Sequence, residues 1–356
     1  MKIGIFDPYI DDIGGGEKYM MSIASCLLKK HRVDLFWDNP KDLKLVKERF
    51  GLHIDSLNLV PNLFTPKTSL LKRFIQTQSY DGIIVLSDGS IPLVGSKKLF
   101  VHIQQPLKYL QNTSILGKVK VLRVTKFFCN SLYTSSFLDK RFHVSSTIIY
   151  PPVALYPENH TKENVILHVG RFRVKNVSNG DYKKQSVMID AFKDMVEKGL
   201  KGWKFILAVS FSEKEKDEFE SMKKKAQGYP IEFYINQTNK QLWGVYTKAK
   251  IYWHASGYGE DLNLHPEFAE HFGISTVEAM GAGVVPVVIN AGGQKEIVTE
   301  GENGFLWNTL SELESKTHQL INDPKLLEKL SKKAAIKAEE FGEKAFEEKI
   351  ARLVGE

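Results

Sequence analysis

Short apolar runs alternate along the chain with longer stretches in which apolar positions recur every three or four residues, the pattern of strands separated by helices. Residues 2–6 read as a buried strand, Gly14-Gly15-Gly16 opens a helical pattern reaching about Lys30, and Val33-Asp-Leu-Phe-Trp37 reads as the next strand. Gly82-Ile-Ile-Val-Leu86, Lys98-Leu-Phe-Val-His-Ile103 and Lys126-Phe-Phe-Cys129 continue as apolar strands, and Ser131 caps a helix to about Arg141. Tyr150-Pro151-Pro152 and the polar residues 157–163 have the composition of a linker. The alternation then restarts, with strands at 164–170, 203–208, 231–235 and 251–254 and helices at 185–197 and near 213–226. Val284-Val-Pro-Val-Val-Ile289 is apolar on both faces, as in a parallel sheet covered by helices, and helical patterns at 309–321, 324–340 and 343–353 close the chain.

This alternation predicts an α/β protein of two Rossmann-like, doubly wound domains facing each other across a cleft. A chain of 356 residues exceeds what one hydrophobic core usually serves. The expected division is 1–150, 151–340 and a last helical segment, 341–356, packing back on the first domain. Ligands of such sheets sit at the carboxyl ends of the strands, so the cleft is the expected site.

Charge adds an asymmetry. Residues 1–150 carry 21 Lys plus Arg against 12 Asp plus Glu, whereas the remainder carries 28 against 30. A basic first half suits an anionic membrane surface, and Leu70-Leu-Lys-Arg-Phe74 and Lys118-Val-Lys-Val-Leu-Arg123 interleave basic and apolar residues in a way that suits interfacial docking. A solvated lysine-rich surface is the plainer reading. No nucleic-acid module signature accompanies the charge, so no nucleic-acid partner is expected. Two cysteines, Cys26 and Cys129, exclude a disulfide framework, and no apolar run reaches the ~18 residues of a membrane span. A cytoplasmic protein, peripheral to the cytoplasmic membrane face, is expected.

The densest chemistry lies in Pro266-Glu-Phe-Ala-Glu-His-Phe-Gly-Ile-Ser-Thr-Val-Glu278, where two carboxylates, Glu270 and Glu278, flank a glycine that precedes a helix. Gly273 lets backbone approach a ligand, and the amides from Ile274 onward offer a phosphate the positive end of a helix. Ser275 and Glu278 also have capping-box spacing, which would let Glu278 satisfy the helix start instead. Gly170-Arg171 ends an expected strand and Lys183-Lys184 precedes the next helix, so an Arg and a Lys stand where they can neutralise a diphosphate leaving group. His265, Glu267, Glu270 and His271 match no metal-ligand spacing, and no metal is expected.

Together these residues resemble glycosyltransferase family 4, the group 1 retaining enzymes of GT-B fold. Gly14-Gly-Gly-Glu17 is similar to the family's first glycine loop and Gly292-Gly-Gln-Lys-Glu-Ile297 to its late one. The resemblance implies a nucleotide-sugar donor, UDP- or GDP-linked, held in the second domain, a glycan or lipid-linked acceptor served by the first, and no further cofactor. Residue by residue it implies that Arg171 and Lys183, with Lys184 as the alternative lysine, bind the diphosphate beside Gly170. Glu270 holds the sugar, Phe272, Gly273, Ile274 and Ser275 offer backbone to sugar and phosphate, and Glu278 holds the ribose. Gly15 or Gly16 approaches the diphosphate, and His102 resembles the acceptor-side histidine, unless it is a core residue. An insertion at 173–182 blurs which lysine aligns. The extension Gly257-Tyr-Gly-Glu-Asp-Leu-Asn-Leu-His265 resembles that of lipid-linked oligosaccharide mannosyltransferases and points to mannose. A nucleotide-sugar epimerase of the same fold and a non-catalytic membrane-docking scaffold are the alternatives.

Overall fold

The computed structural model describes residues 1–12, 14–107, 115–155, 161–174 and 181–355. Residues 157–160 of the expected linker and 175–180 of the insertion lie outside the described residues. The chain divides into two units, Met1–Pro152 with Glu343–Glu356, and Val153–Gly342.

The first unit holds a parallel sheet of seven strands among the described residues: β1 (Lys2–Phe6), β2 (Arg32–Phe36), β3 (Asn58–Val60), β4 (Gly82–Leu86), β5 (Lys98–Ile103), β6 (Lys126–Cys129) and β7 (Thr147–Ile148). Their order is β3-β2-β1-β4-β5-β6-β7, so the winding reverses between β1 and β4. Every residue of β4 is buried, which is why Gly-Ile-Ile-Val-Leu shows no alternation. Helix α1 (Gly15–Leu28) follows β1. Helix α2 (Pro40–Phe50) was not foreseen in the sequence, although Asn39 accepts the Lys41 amide, Pro40 opens the first turn and Gly51 ends the helix at φ 64°. Helices α3 (Leu70–Thr77) and α4 (Ile115–Leu122) take up the two basic-apolar segments, and α5 (Leu132–Phe142) follows β6.

The second unit repeats the plan. Strands β8 (Val165–Arg171), β9 (Lys204–Ser210), β10 (Ile231–Ile235), β11 (Ile251–His254), β12 (Val285–Ile289) and β13 (Phe305–Trp307) form a parallel sheet of order β10-β9-β8-β11-β12-β13. The reversal falls between β8 and β11. Helices α6 (Gln185–Glu197), α7 (Lys216–Lys225), α8 (Asn239–Tyr246), α9 (Ile274–Gly281), α10 (Gln294–Ile297), α11 (Leu310–Asn322) and α12 (Pro324–Glu339) connect and cover the strands. Trp253, Phe192 and Phe205 centre this core, with ring centroids 5.3–6.4 Å apart. Helix α8 was likewise unforeseen, though Thr238 and Gln241 form its capping box.

The last helix, α13 (Glu343–Val354), belongs to the first unit. Phe346 meets Tyr19 edge-on at 5.4 Å, Ile350 and Val354 enter the same core, and Glu347 pairs with Lys29 at 2.6 Å. Phe346 is only 2% exposed. Phe346→Ala is therefore expected to destabilise the first unit by about 3–5 kcal/mol in denaturant unfolding, whereas Glu347→Ala on the exposed pair should cost under about 1 kcal/mol; equal, small effects would contradict this packing.

Candidate functional site

In a doubly wound sheet the carboxyl ends of the strands flanking the reversal meet any ligand first. In the second unit those ends are Gly170-Arg171 on β8 and His254 on β11. Glu270, on the loop before α9, reaches the same place. Its Oε2 accepts from Lys183 Nζ at 2.6 Å and lies 3.0 Å from His254 Nε2. Burial alone would raise the Glu270 carboxyl, but the Lys183 charge and the His254 bond outweigh it and hold the group well below the usual carboxylate range. The His254 ring is buried and its pKa lowered by that burial, so at neutral pH it is the uncharged ring that meets Glu270. The Ser256 amide donates to Nδ1 at 3.4 Å, which leaves the proton on Nε2, facing the carboxylate.

Glycines make room for this arrangement. A Cβ on Gly170 would lie 2.9 Å from His168 Nε2. One on Gly293 would lie 2.4 Å from the His271 carbonyl, and one on Gly292 2.3 Å from that of Glu270. The late glycine loop thus packs on the backbone of the glutamate motif, and the Gly293 amide donates to Glu270 O at 2.7 Å. Gly273 takes φ 122°, a conformation glycine alone adopts readily, and opens α9. A Cβ there would lie 2.6 Å from Gln294 Nε2, whose buried amide has no partner for either polar atom among the described residues.

Ser275 stands inside the first turn of α9 and not at its cap, so Ser275 and Glu278 form no capping box. The Ser275 hydroxyl instead pairs with the Tyr252 hydroxyl at 2.8 Å, and Glu278 accepts from Tyr246 at 2.9 Å. Ile274 begins the helix beside them. Phe272 turns its ring into the interior against Phe341, centroids 5.4 Å apart, leaving only its backbone for a ligand.

The two adjacent lysines part company. Lys184, in the left-handed conformation at φ 57°, has a fully buried side chain paired with Glu260. The expectation that Lys184 binds a donor is corrected: its ammonium is enclosed as the counter-charge of Glu260. Lys183 stays partly open, 18% exposed. Arg171, exposed at the end of β8, lies in register with Ser210 of β9.

In the first unit, His102 is a core residue and not one presented at a surface. Its ring is stacked between Tyr19 (4.3 Å) and Phe128 (4.7 Å), is fully buried, and has its pKa lowered by that burial to about 3. Gly16 lies against the Gln104 side chain, whose amide a Cβ would meet at 2.2 Å and displace, whereas Gly15 faces open space. The loop's charge opposes a phosphate. Asp7, Asp11, Asp12 and Glu17 surround it, and burial, with Glu17, Asp11 and Asp12 adding, pushes the Asp7 carboxyl up to about 7.

Sequence reading missed His254, His168, Tyr246, Tyr252 and Gln294. His254 had one usable signal, as the last residue of an apolar strand. Among the described residues no three His, Cys, Asp or Glu side chains gather as for a metal ion. His265 pairs instead with Glu267 at 3.1 Å, and His271 lies 3.3 Å from the Glu267 carbonyl. No described helix is long and apolar enough to cross a membrane.

Two parallel, doubly wound units define the GT-B architecture of glycosyltransferases, and solved structures agree on the fold. The chain is similar over 99% of both chains to Anabaena HepE in complex with UDP and glucose, with 20% identity and a TM-score of 0.71. It is also similar to a sucrose-phosphate synthase of Thermosynechococcus elongatus, over 99% of this chain and 98% of that one, with 14% identity and a TM-score of 0.68. A family model described as glycosyl transferases group 1 matches residues 157–337, and the chain belongs to that family. Among curated relatives it is 25% identical to a Dictyostelium discoideum GDP-Man:Man(3)GlcNAc(2)-PP-Dol alpha-1,2-mannosyltransferase, over 60% of this chain and 43% of the relative, less than half the relative's length. It is also 25% identical to a Haemophilus influenzae uncharacterized glycosyltransferase over 98% of both chains, and to a Dictyostelium alpha-1,3/1,6-mannosyltransferase over 91% and 90%.

Two predictions follow from the site's electrostatics. Removing one partner of a buried ion pair strands the other charge, so Glu260→Gln should destabilise the second unit by about 3–5 kcal/mol, while Lys184→Met with Glu260→Leu should recover most of it; an innocuous single variant in urea unfolding would contradict the burial. The second concerns pH. Burial lowers His168 to about 3, while the unfolded chain binds its proton near pH 6.5. As pH falls below about 6.5 the unfolded state therefore gains a proton the folded one refuses, and stability drops by up to about 1.4 kcal/mol per pH unit. His102, lowered by burial to about 3, and His254 and His271 act in the same direction; Asp7, raised by burial to about 7, and Asp181 oppose them. Urea midpoints should fall between about pH 7 and pH 5, and less steeply in His168→Gln; a flat profile would refute this.

Proposed function

We propose that the protein transfers a mannosyl group from GDP-mannose to a hydroxyl of a lipid-linked glycan, with retention at the anomeric carbon and without a metal ion. The observation that carries the reading is Glu270, held ionised by Lys183 and His254 directly before the Gly273 turn. A fixed, charged acceptor beside a helix N-terminus suits sugar hydroxyls next to a diphosphate. The donor and acceptor are taken from the relatives whose names specify GDP-Man and dolichol-linked glycans.

In this reading the second unit binds the donor. Arg171 and Lys183 and the amides opening α9 neutralise the diphosphate as it departs, and Glu278, oriented by Tyr246, takes the ribose hydroxyls. The transition state resembles an oxocarbenium ion, as in glycoside hydrolysis, and its geometry is set by Glu270 on the sugar hydroxyls. Lys183 serves two anions, Glu270 and the diphosphate, so donor binding draws on a cation already fixed in place. The first unit serves the acceptor, with its basic excess turned to the cytoplasmic face of a membrane.

Arg171→Ala or Glu270→Ala should lower turnover at least ~100-fold, the scale of a lost transition-state contact of about 3 kcal/mol. Transfer should persist in excess chelator. GDP should raise the melting temperature more than UDP, since a ligand at ~100 times its Kd stabilises by about 2.7 kcal/mol. Near-normal transfer by both variants, or a strict need for a divalent cation, would overturn the assignment.

A further inference from the structure

The two basic-apolar segments that the donor site does not use become helices α3 and α4 of the first unit, and each leaves a row of large apolar side chains in water. On α3, Leu70, Leu71 and Ile75 are 52%, 70% and 55% exposed. On α4, Ile115, Val119 and Leu122, spaced to share one helical face, are 84%, 49% and 85% exposed. One turn ties the two helices together: the Gly95 amide donates to Thr77 Oγ1 at the end of α3 (2.8 Å), and the Arg123 guanidinium just past α4 donates to the Ser96 carbonyl (2.6 Å). Side chains this apolar, three on each of two helices whose ends meet one turn, exceed the scattered exposed leucines of an ordinary surface.

The charge around them names the occupant. Residues 56–138 hold ten Lys plus Arg and two acids, Asp81 and Asp88, a net of +8 in a chain whose total is +7. Both acids are engaged within the protein, Asp81 with Lys97 at 2.7 Å and Asp88 with the Tyr9 hydroxyl at 3.2 Å. Lys67, Lys72, Lys118 and Lys126 are exposed on or beside the two helices. A second copy of the same face would bring like charges together, whereas a bilayer with anionic headgroups accepts the apolar side chains below its surface and the lysines at it.

We infer that α3 and α4 form one docking face for an anionic lipid bilayer. This deepens the membrane-peripheral part of the proposed function and rests on it for its purpose, not for its physics. Two helices of 8 residues each insert shallowly, so binding needs the apolar and the electrostatic contributions together.

The test is co-sedimentation of the full chain with vesicles of phosphatidylcholine containing roughly one-third phosphatidylglycerol, and with vesicles of phosphatidylcholine alone. The wild type should bind the first and not the second, and be released at about 0.5 M salt. Leu71→Ser with Leu122→Ser, two exposed changes that leave the core untouched, should weaken binding about tenfold or more at unchanged melting temperature. Lys72→Glu with Lys118→Glu should do the same. Equal binding by the variants, no binding by the wild type, or a wild-type dimer that the leucine variant dissociates in sedimentation velocity would overturn the inference. Transfer to a soluble short-chain mannoside should be unchanged in these variants; its absence in the wild type would count against the transferase reading and leave the vesicle result standing.

Discussion

A carboxylate with only 19% of its side chain in water stays ionised only if positive charge and hydrogen bonds offset its desolvation, and Glu270 meets that condition with partners from two other segments. Lys183 comes from the start of α6 and His254 from the end of β11, so the site exists only when the strands at the sheet reversal end in register. Tyr252 of β11 pairs across from Leu167 of β8, which fixes that register. The glycine pair 292–293 completes the constraint. By letting one loop lie against the carbonyls of Glu270 and His271, it holds the carboxylate's own backbone where the two partners can reach it.

The neighbouring lysines show how backbone conformation, and not the number of cations, decides which charge is available. The left-handed turn at Lys184 sends its side chain inward to Glu260, in the extension of residues 257–265. Asp181 accepts the amides of Gln185 (2.6 Å) and Ser186 (2.9 Å), so the first turn of α6 is already closed by a carboxylate. The start of α9 carries no such side-chain cap. Glu260 and Asp181 engage the second lysine and the second helix terminus within the fold.

The alternation of strands and helices was legible because parallel strands buried on both faces stand out as short apolar runs, and strands β10 and β11 and helix α6 fall where the pattern placed them. Helix α2 was hidden by its composition: of eleven residues only Val46 is buried, so there was little apolar periodicity to read and only the Asn39-Pro40 start and the Gly51 stop betrayed it. Strands β3, β7 and β13, of two or three residues each, are shorter than any periodicity can show. In the site, Glu270, Gly273 and Lys183 could be read because loop glycines and charged residues before helices are conspicuous. His254, Tyr246 and Tyr252 could not, because their importance lies in which neighbour the fold turns them toward.

The two units share a topology but carry opposite charge where that topology places a ligand. At the end of β8 the second unit presents Arg171 and Lys183, with the start of α9 beside them. At the end of β1 the first unit presents Asp7, Asp11, Asp12 and Glu17, and the Asp7 carboxyl, pushed by burial to about 7, carries its proton for much of the neutral range. Positive charge of the first kind favours an anion, while a carboxyl that can accept a hydrogen bond or donate one suits a neutral hydroxyl. The basic excess of the first half falls in residues 56–138, apart in sequence from the glycine loop. Net charge per half is therefore no guide to local charge, since the half with the larger positive total carries the more acidic glycine loop.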